Sequence, residues 1–219
     1  MGKVRGSSPL GSTVKNKIII FDFDGVIVNS CQLSFEIDKE FFVNLEYSEL
    51  QDWAEGNIFK GKLRENHSTL IDELYLEKYS QRINTLLPME GIENVFKELD
   101  LLEYKLIIVS SADENSIKDF LENYSLDKYF IEILGRKAHF NKSEKFKMIF
   151  DKYKIKAKET LIITDSVGDL KEAQEVKMKT IGVTWGLHEK ERLEKNGASF
   201  IADEPKDIIK GIKEILVLN

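Results

Sequence analysis

Lys17-Ile18-Ile19-Ile20-Phe21-Asp22-Phe23-Asp24-Gly25-Val26 is a short apolar run that ends in two acids and a glycine. The run is brief, β-branched and aromatic, which suits a strand buried on both faces. Carboxylates at the end of such a strand are costly without a partner. The chain leaves the sheet there and brings the second carboxylate back towards the first, while Gly25 lets backbone N–H groups come close to a bound oxyanion. A metal ion or a phosphate makes sense of that arrangement.

Working outward, similar runs recur at Lys105–Ser110, Phe130–Leu134, Thr160–Thr164 and Thr180–Val183, so that strands are expected there and at Lys17–Phe23. Between them apolar residues recur at helical spacing: Ile92, Val95, Phe96 and Leu99; Ile117, Phe120, Leu121 and Tyr124; Phe146, Ile149, Phe150 and Tyr153. Strand and helix in alternation mean right-handed crossovers. The expected fold is therefore α/β, a Rossmann-like, mostly parallel sheet with helices on both faces. After the first strand roughly sixty residues carry no strand-like run. A small all-helical cap is expected at 30–86, inserted into a core formed by 16–29 and 87–219. Phe35, Phe41, Phe42 and Leu45 are expected on one buried face of it, and Leu70, Ile71, Leu74, Tyr75 and Ile83 on another.

A second acidic pair, Asp165 and Asp169, closes the fourth expected strand around Gly168. Ligands of open parallel sheets bind beyond the carboxyl ends of the strands, where the strand order reverses. If the first and fourth strands are neighbours, all four acids share one crevice. Oxygen-only ligands beside a phosphate favour Mg2+. Ser110 ends the second strand and Lys142 opens the helix before the fourth; a hydroxyl and an ammonium suit phosphoryl oxygens. Either acidic pair alone is equally an ordinary solvated loop or helix start. Their joint placement at strand ends is what points to chemistry.

Bulk properties narrow the classes. The 219 residues, 42% hydrophobic, are enough for one core with a smaller lobe. With 32 basic against 38 acidic residues the net charge is -6, which argues against nucleic acid and anionic membrane as partners. No apolar run is long enough to span a bilayer. One cysteine, Cys31, excludes an intrachain disulfide and fits a reducing, cytoplasmic setting; it reads as a small core residue. Residues 1–15 read as a flexible Gly- and Ser-rich tail of the kind expression leaves. His67, His139 and His188 read as surface or structural, with His188 at the edge of the site. Lys60, Lys62 and Arg64 read as a solvated face from which one side chain reaches a leaving group.

In order, Asp-x-Asp-Gly, a strand ending in Ser110, Lys142 and Asp165-x-x-x-Asp169 resemble the four motifs of the haloacid dehalogenase superfamily, over about Asn16 to Ala202. The helical insert, and Gly182-Val183-Thr184-Trp185-Gly186, are similar to its phosphoglycolate-phosphatase-like branch. The resemblance implies that Asp22 is a nucleophile forming an aspartyl-phosphate and that Asp24 is the general acid and base. It implies that Asp22, the Asp24 carbonyl and Asp165 hold Mg2+, with Asp169 supporting the metal shell or Lys142, and that Ser110 and Lys142 grip phosphoryl oxygens beside Gly25. Lys145 is the rival for the lysine role, since no proline follows Lys142. An acid at position 24 implies phosphate ester chemistry: a phosphatase acting on a small phosphorylated metabolite, as monomer or homodimer. The alternatives are a phosphomutase, which returns the phosphoryl group to a sugar phosphate, and a phospho-receiver domain, which stores it.

Overall fold

The computed structural model describes residues 17–56 and 69–217. The tail at 1–15 and the side chains of Lys60, Lys62, Arg64 and His67 lie outside the described residues. Six strands form one sheet: β1 (Ile18–Phe21), β2 (Lys105–Val109), β3 (Phe130–Leu134), β4 (Leu161–Thr164), β5 (Lys179–Val183) and β6 (Phe200–Ala202). Their order is β3-β2-β1-β4-β5-β6, and every pairing is parallel. The sheet is the α/β architecture the sequence implies. β6, three residues long, has no counterpart in the expected strands, because Phe-Ile-Ala is too brief to stand out as a run.

Alternation along each strand builds two cores. Ile19, Phe21, Leu106, Ile108, Leu161 and Ile163 face α4 (Ile92–Leu101), α5 (Glu114–Asn123) and α9 (Asp207–Ile212). Ile18, Ile20, Ile107, Val109 and Ile162 face the other way, onto α6 (Lys142–Tyr153) and Ala173 of α7 (Val167–Glu175). Parallel strands need crossovers, and the helices that make them cover both faces. The expected face of α4 is buried at all four positions, whereas Tyr124, Phe150 and Tyr153 are only partly buried at the rims of their helices. A short α8 (Lys190–Lys195) precedes β6.

β1 stops at Phe21 rather than Phe23, because the chain turns back on itself there. The Ile27 N–H donates to Phe23 O at 2.9 Å and the Gly25 N–H to Val28 O at 2.8 Å. Ser110 and Thr160 likewise lie just outside the strands expected to contain them.

Between β1 and α4 the described residues form α1 (Cys31–Phe41), α2 (Tyr47–Trp53) and α3 (Thr69–Ile83) and no strand. The chain enters and leaves this helical segment side by side: Val28 bridges Pro88, and the Met89 N–H donates to Ile27 O at 2.8 Å. Its buried residues differ from the expected ones. Leu33 and Ile37 of α1 meet Tyr79 and Ile83 of α3, and all four join the larger core. Phe35 and Phe42 are half-buried and pack edge-on against Tyr47 and Trp53 instead. Phe41 packs on the margin of the core, and Leu70 and Leu74 are exposed. Of the expected residues, Leu45 and Ile83 are buried. Among the described residues no helix is long and apolar enough to cross a membrane.

Candidate active site

β1 lies between β2 and β4, so the chain runs off in opposite directions from its carboxyl end and leaves a crevice there. Asp22 stands at that end, buried, with its Oδ1 accepting from the Phe23 N–H at 2.7 Å. From the end of β4 come Asp165 and, one helical turn later, Asp169. Lys142, the first residue of α6, puts its ammonium 2.7 Å from Asp22 Oδ2 and 2.7 Å from Asp169 Oδ2. Thr164 Oγ1 donates to the same Asp169 oxygen at 2.6 Å.

Asp22, Asp24, Ser110, Lys142, Asp165 and Asp169 all line one cavity of about 240 Å3. Gly25 packs against Asp165 of that group. Its φ is +69°, in the left-handed region, and a Cβ there would fall 1.7 Å from Asp165 Oδ2, so glycine is required for both reasons. Ser110 is fully buried; its Oγ accepts from the Ala112 N–H at 3.0 Å, which leaves the hydroxyl proton to donate. Lys145 stands apart from this group: its Nζ donates to Ser110 O at 2.5 Å and makes no ion pair with the acids among the described residues. The geometry thus gives Lys142, rather than its rival, the place between the acids.

The charges do not balance within the protein. Burial raises the Asp22 carboxyl well above its usual range, and Asp169 and Asp165 add to the rise against the pull of Lys142. Burial likewise lifts Asp165 to about 7, opposed by the Leu187 N–H on its carboxylate and reinforced by Asp169. Asp169 is held low despite its burial, because Lys142 and the hydrogen bonds to it prevail. Lys142 is held high by Asp169 and Asp22, although burial works against its charge. Among the described residues three acids thus share the one ammonium ion-paired with them, and the deficit there is of positive charge.

A divalent cation fits that deficit. Among the described residues no three carboxylate, imidazole or thiol groups stand in ligand geometry. Mg2+ does not need them, since it is commonly held by one or two carboxylates and keeps water and substrate phosphate for its other positions. Asp22, Asp165 and the Asp24 carbonyl match that donor chemistry.

Several neighbours were not legible from sequence. Asp24 Oδ1 accepts from Ser30 Oγ and, at 2.5 Å, from the Tyr79 hydroxyl of α3. Burial raises the Asp24 pKa, and these two hydroxyls oppose the rise. Glu172 Oε2 takes the Ser143 N–H at 2.8 Å and steadies the start of α6 beside Lys142. Arg136, just past β3, pairs with Asp72 of α3 at 3.2 Å, and both line the cavity. No local pattern marks such partners, which become neighbours only on folding. Cys31 is buried as expected, but at the cavity wall, with Sγ 3.6 Å from Asp165 Oδ2. His188 is fully buried beside the site, its N–H donating to Asp165 O at 3.2 Å.

A parallel sheet with a buried acid-and-lysine cluster at the carboxyl ends of β1 and β4 is an arrangement suited to binding an oxyanion. The family model for haloacid dehalogenase-like hydrolases matches residues 19–183, and the chain belongs to that family. A phosphoglycolate phosphatase from Vibrio parahaemolyticus is 24% identical over 151 residues, covering 68% of this chain and 65% of that protein. A phosphoserine phosphatase from Methanocaldococcus jannaschii is 34% identical over 118 residues, 53% of this chain and 55% of that protein. The matches to these two relatives therefore span less than two thirds of their lengths. Among solved structures, one described as a predicted phosphatase from Clostridium acetobutylicum superposes with a TM-score of 0.77 at 21% identity, over 91% of this chain and 99% of that one.

Proposed function

We propose that this chain is a magnesium-dependent phosphatase that hydrolyses the phosphate monoester of a small metabolite through an aspartyl-phosphate on Asp22. The observation that carries the reading is the Lys142 ammonium, 2.7 Å from Asp22 and 2.7 Å from Asp169, which joins the two acidic pairs in one pocket. The family membership and the phosphatases among its relatives support the same class.

In the first step the Asp22 carboxylate, aimed by the Phe23 N–H and Lys142, attacks phosphorus, and the ester P–O bond breaks. Asp24, whose burial favours its protonated form, gives its proton to the departing alkoxide. In the second step Asp24 takes a proton from water as that water attacks phosphorus, releasing inorganic phosphate and restoring the Asp22 carboxylate. Lys142 and the Ser110 hydroxyl hold the phosphoryl oxygens as charge redistributes. Asp22, Asp165 and the Asp24 carbonyl would hold Mg2+, which when bound neutralises charge on the phosphoryl oxygens and on Asp22. The helical segment 30–86 acts as a cap over the core of 16–29 and 87–219, excluding water and contacting the leaving group.

The test is phosphate release from a panel of phosphorylated metabolites with Mg2+, with isomer formation from sugar phosphates followed alongside. Release abolished by chelation and by Asp22→Asn is expected. Conversion of a sugar phosphate to its isomer without net release overturns the phosphatase assignment.

A further inference from the structure

The carboxyl end of α2 and the amino end of α7 meet, and each end completes the other. A helix leaves its first N–H groups and its last carbonyls without partners of its own. On α7, the Gly168 N–H donates to Ala54 O at 2.8 Å, and the Val167 N–H to His188 Nδ1 at 3.2 Å. On α2, Gln51 O lies 2.9 Å from His188 Nε2, and just past the helix Glu55 O accepts from Lys171 Nζ at 2.7 Å. Gln51 Nε2 in turn donates to Leu187 O at 2.8 Å. The fit leaves no room for a side chain at Gly168, where a Cβ would lie 2.4 Å from Gly56 O and 2.7 Å from Ala54 O.

His188 is the centre of this contact, and its ring is wholly removed from solvent. The Val167 N–H can only donate, so Nδ1 accepts; the ring proton then sits on Nε2 and is given to Gln51 O. Each nitrogen thus answers a backbone group of a different element. The same stretch of chain holds Asp165: the His188 N–H donates to Asp165 O at 3.2 Å, and the Leu187 N–H to Asp165 Oδ2 at 2.8 Å. Two consecutive residues therefore touch the carbonyl and the carboxylate of one acid, the first turn of the helix that carries the other, and the end of α2.

We propose that His188 is a positioning residue that clasps α2 to the Asp165–Asp169 loop, so that seating of the helical segment and placement of the two acids are one event. A buried imidazole that only filled space would leave the Gln51 carbonyl and the Val167 N–H unpaired, which is the outcome burial penalises most. The clasp is a claim about coupling; its kinetic consequence and its response to fluoride rest on the phosphatase reading, and the exchange of the ligand-free protein does not. Coupling between two places is reciprocal. A ligand that orders Asp165 and Asp169 must tighten α2, and a loosened α2 must weaken that ligand.

Hydrogen exchange of residues 47–56, read by mass spectrometry with and without MgCl2 plus beryllium fluoride, tests both directions. In the wild type the fluoride complex should slow exchange there. His188→Phe keeps a flat ring, somewhat larger than imidazole, and removes both ring hydrogen bonds. It should raise exchange in 47–56 by about tenfold, abolish the response to fluoride and leave β1 and β2 unchanged, since an unpaired buried group costs of the order of one tenfold step. His188→Gln, which offers one acceptor and one donor, should recover part of the protection. Where a substrate is in hand, kcat should fall in His188→Phe more than KM rises. Gly168→Ala repeats the experiment with His188 intact, by pushing Gly56 and Ala54 away, and serves if His188→Phe does not fold. Wild-type exchange in 47–56 in these variants, or an undiminished response to fluoride in them, overturns the clasp. Absence of phosphate release by the wild type overturns the phosphatase reading instead, and the exchange of 47–56 in the ligand-free variants still decides the clasp.

Discussion

On the proposed mechanism Asp22 serves chemistry at the expense of stability. Its carboxylate is buried among Asp165 and Asp169, with Lys142 the one ammonium ion-paired to it among the described residues, and burial drives its pKa up. Asp22→Asn keeps the shape and removes the charge, so turnover of an aryl phosphate should fall by at least about a thousandfold as the nucleophile is lost. Without Mg2+ the same variant should melt no lower than the wild type, because a group that prefers to be neutral has been made so. Phosphate release together with a thermal melt checks both halves, and full activity would remove Asp22 as nucleophile. Lys145 makes a separate prediction. Burial, with Lys142 nearby, lowers its pKa from 10.5 to about 8. Between those values the unfolded chain binds more protons than the folded one, so this lysine makes stability rise with pH across that window. Relative to Lys145→Met, the wild-type melting temperature should therefore climb from pH 8 to pH 10; a constant difference would mean that Lys145 is not buried as a cation at neutral pH. From sequence alone, spacing left Lys142 and Lys145 as rivals. Three residues apart on one helix they share a face, and only the position of α6 against β1 and β4 separates them.

At the scale of elements, the strands were readable where β-branched residues run together between polar ends, because a strand covered on both faces has no polar side to show. The face of α4 was readable for the complementary reason: its four buried residues lie on one stripe and the rest of the helix is wet. The helical segment was misread at Phe35, Phe42, Leu70 and Leu74. Two helices, α1 and α3, that share one side with the main core need few buried positions, and Leu33, Ile37, Tyr79 and Ile83 fill them. Phe35 and Phe42, half-buried, pack edge-on against Tyr47 and Trp53 instead. Where α4 meets the sheet, Phe96 lies edge-on to Phe21 at 5.2 Å and to Phe130 at 5.0 Å, with no exposed surface. Phe96→Ala should cost about 3 to 5 kcal/mol by losing that burial and leaving a cavity behind the strand that carries Asp22. Chemical denaturation with an unchanged slope and a lowered midpoint is the expected record. A cost below about 1 kcal/mol would mean that the site's supporting strand is not held from this side.

Across the whole molecule, what the sequence showed of the site was its acids and what it hid was their company. Asp22, Asp24, Asp165 and Asp169 announce themselves because carboxylates are out of place after buried strands. Thr164, Ser30, Tyr79 and His188 are ordinary residues wherever they stand, and acquire a role only when β1 and β4 become neighbours and the helical segment settles over them. The same assembly makes the fold itself sensitive to metal. Among the described residues Lys142 is the one ammonium ion-paired within the cluster of Asp22, Asp165 and Asp169, so folding gathers like charge that the unfolded chain keeps apart. An ion bound only by the folded state stabilises it by mass action, by about 1.4 kcal/mol at ten times its dissociation constant. For a chain of this size that is a rise of roughly 3 to 6 °C in melting temperature. Thermal melts with increasing MgCl2 should show that rise, and EDTA should reverse it. Asp165→Asn should flatten the response, since it removes one of the two carboxylates and leaves Lys142 better matched to the acids that remain. An equal response in Asp165→Asn would place the stabilising ion elsewhere on the surface, and the charge deficit in the crevice would then have to be met by the substrate and protons alone.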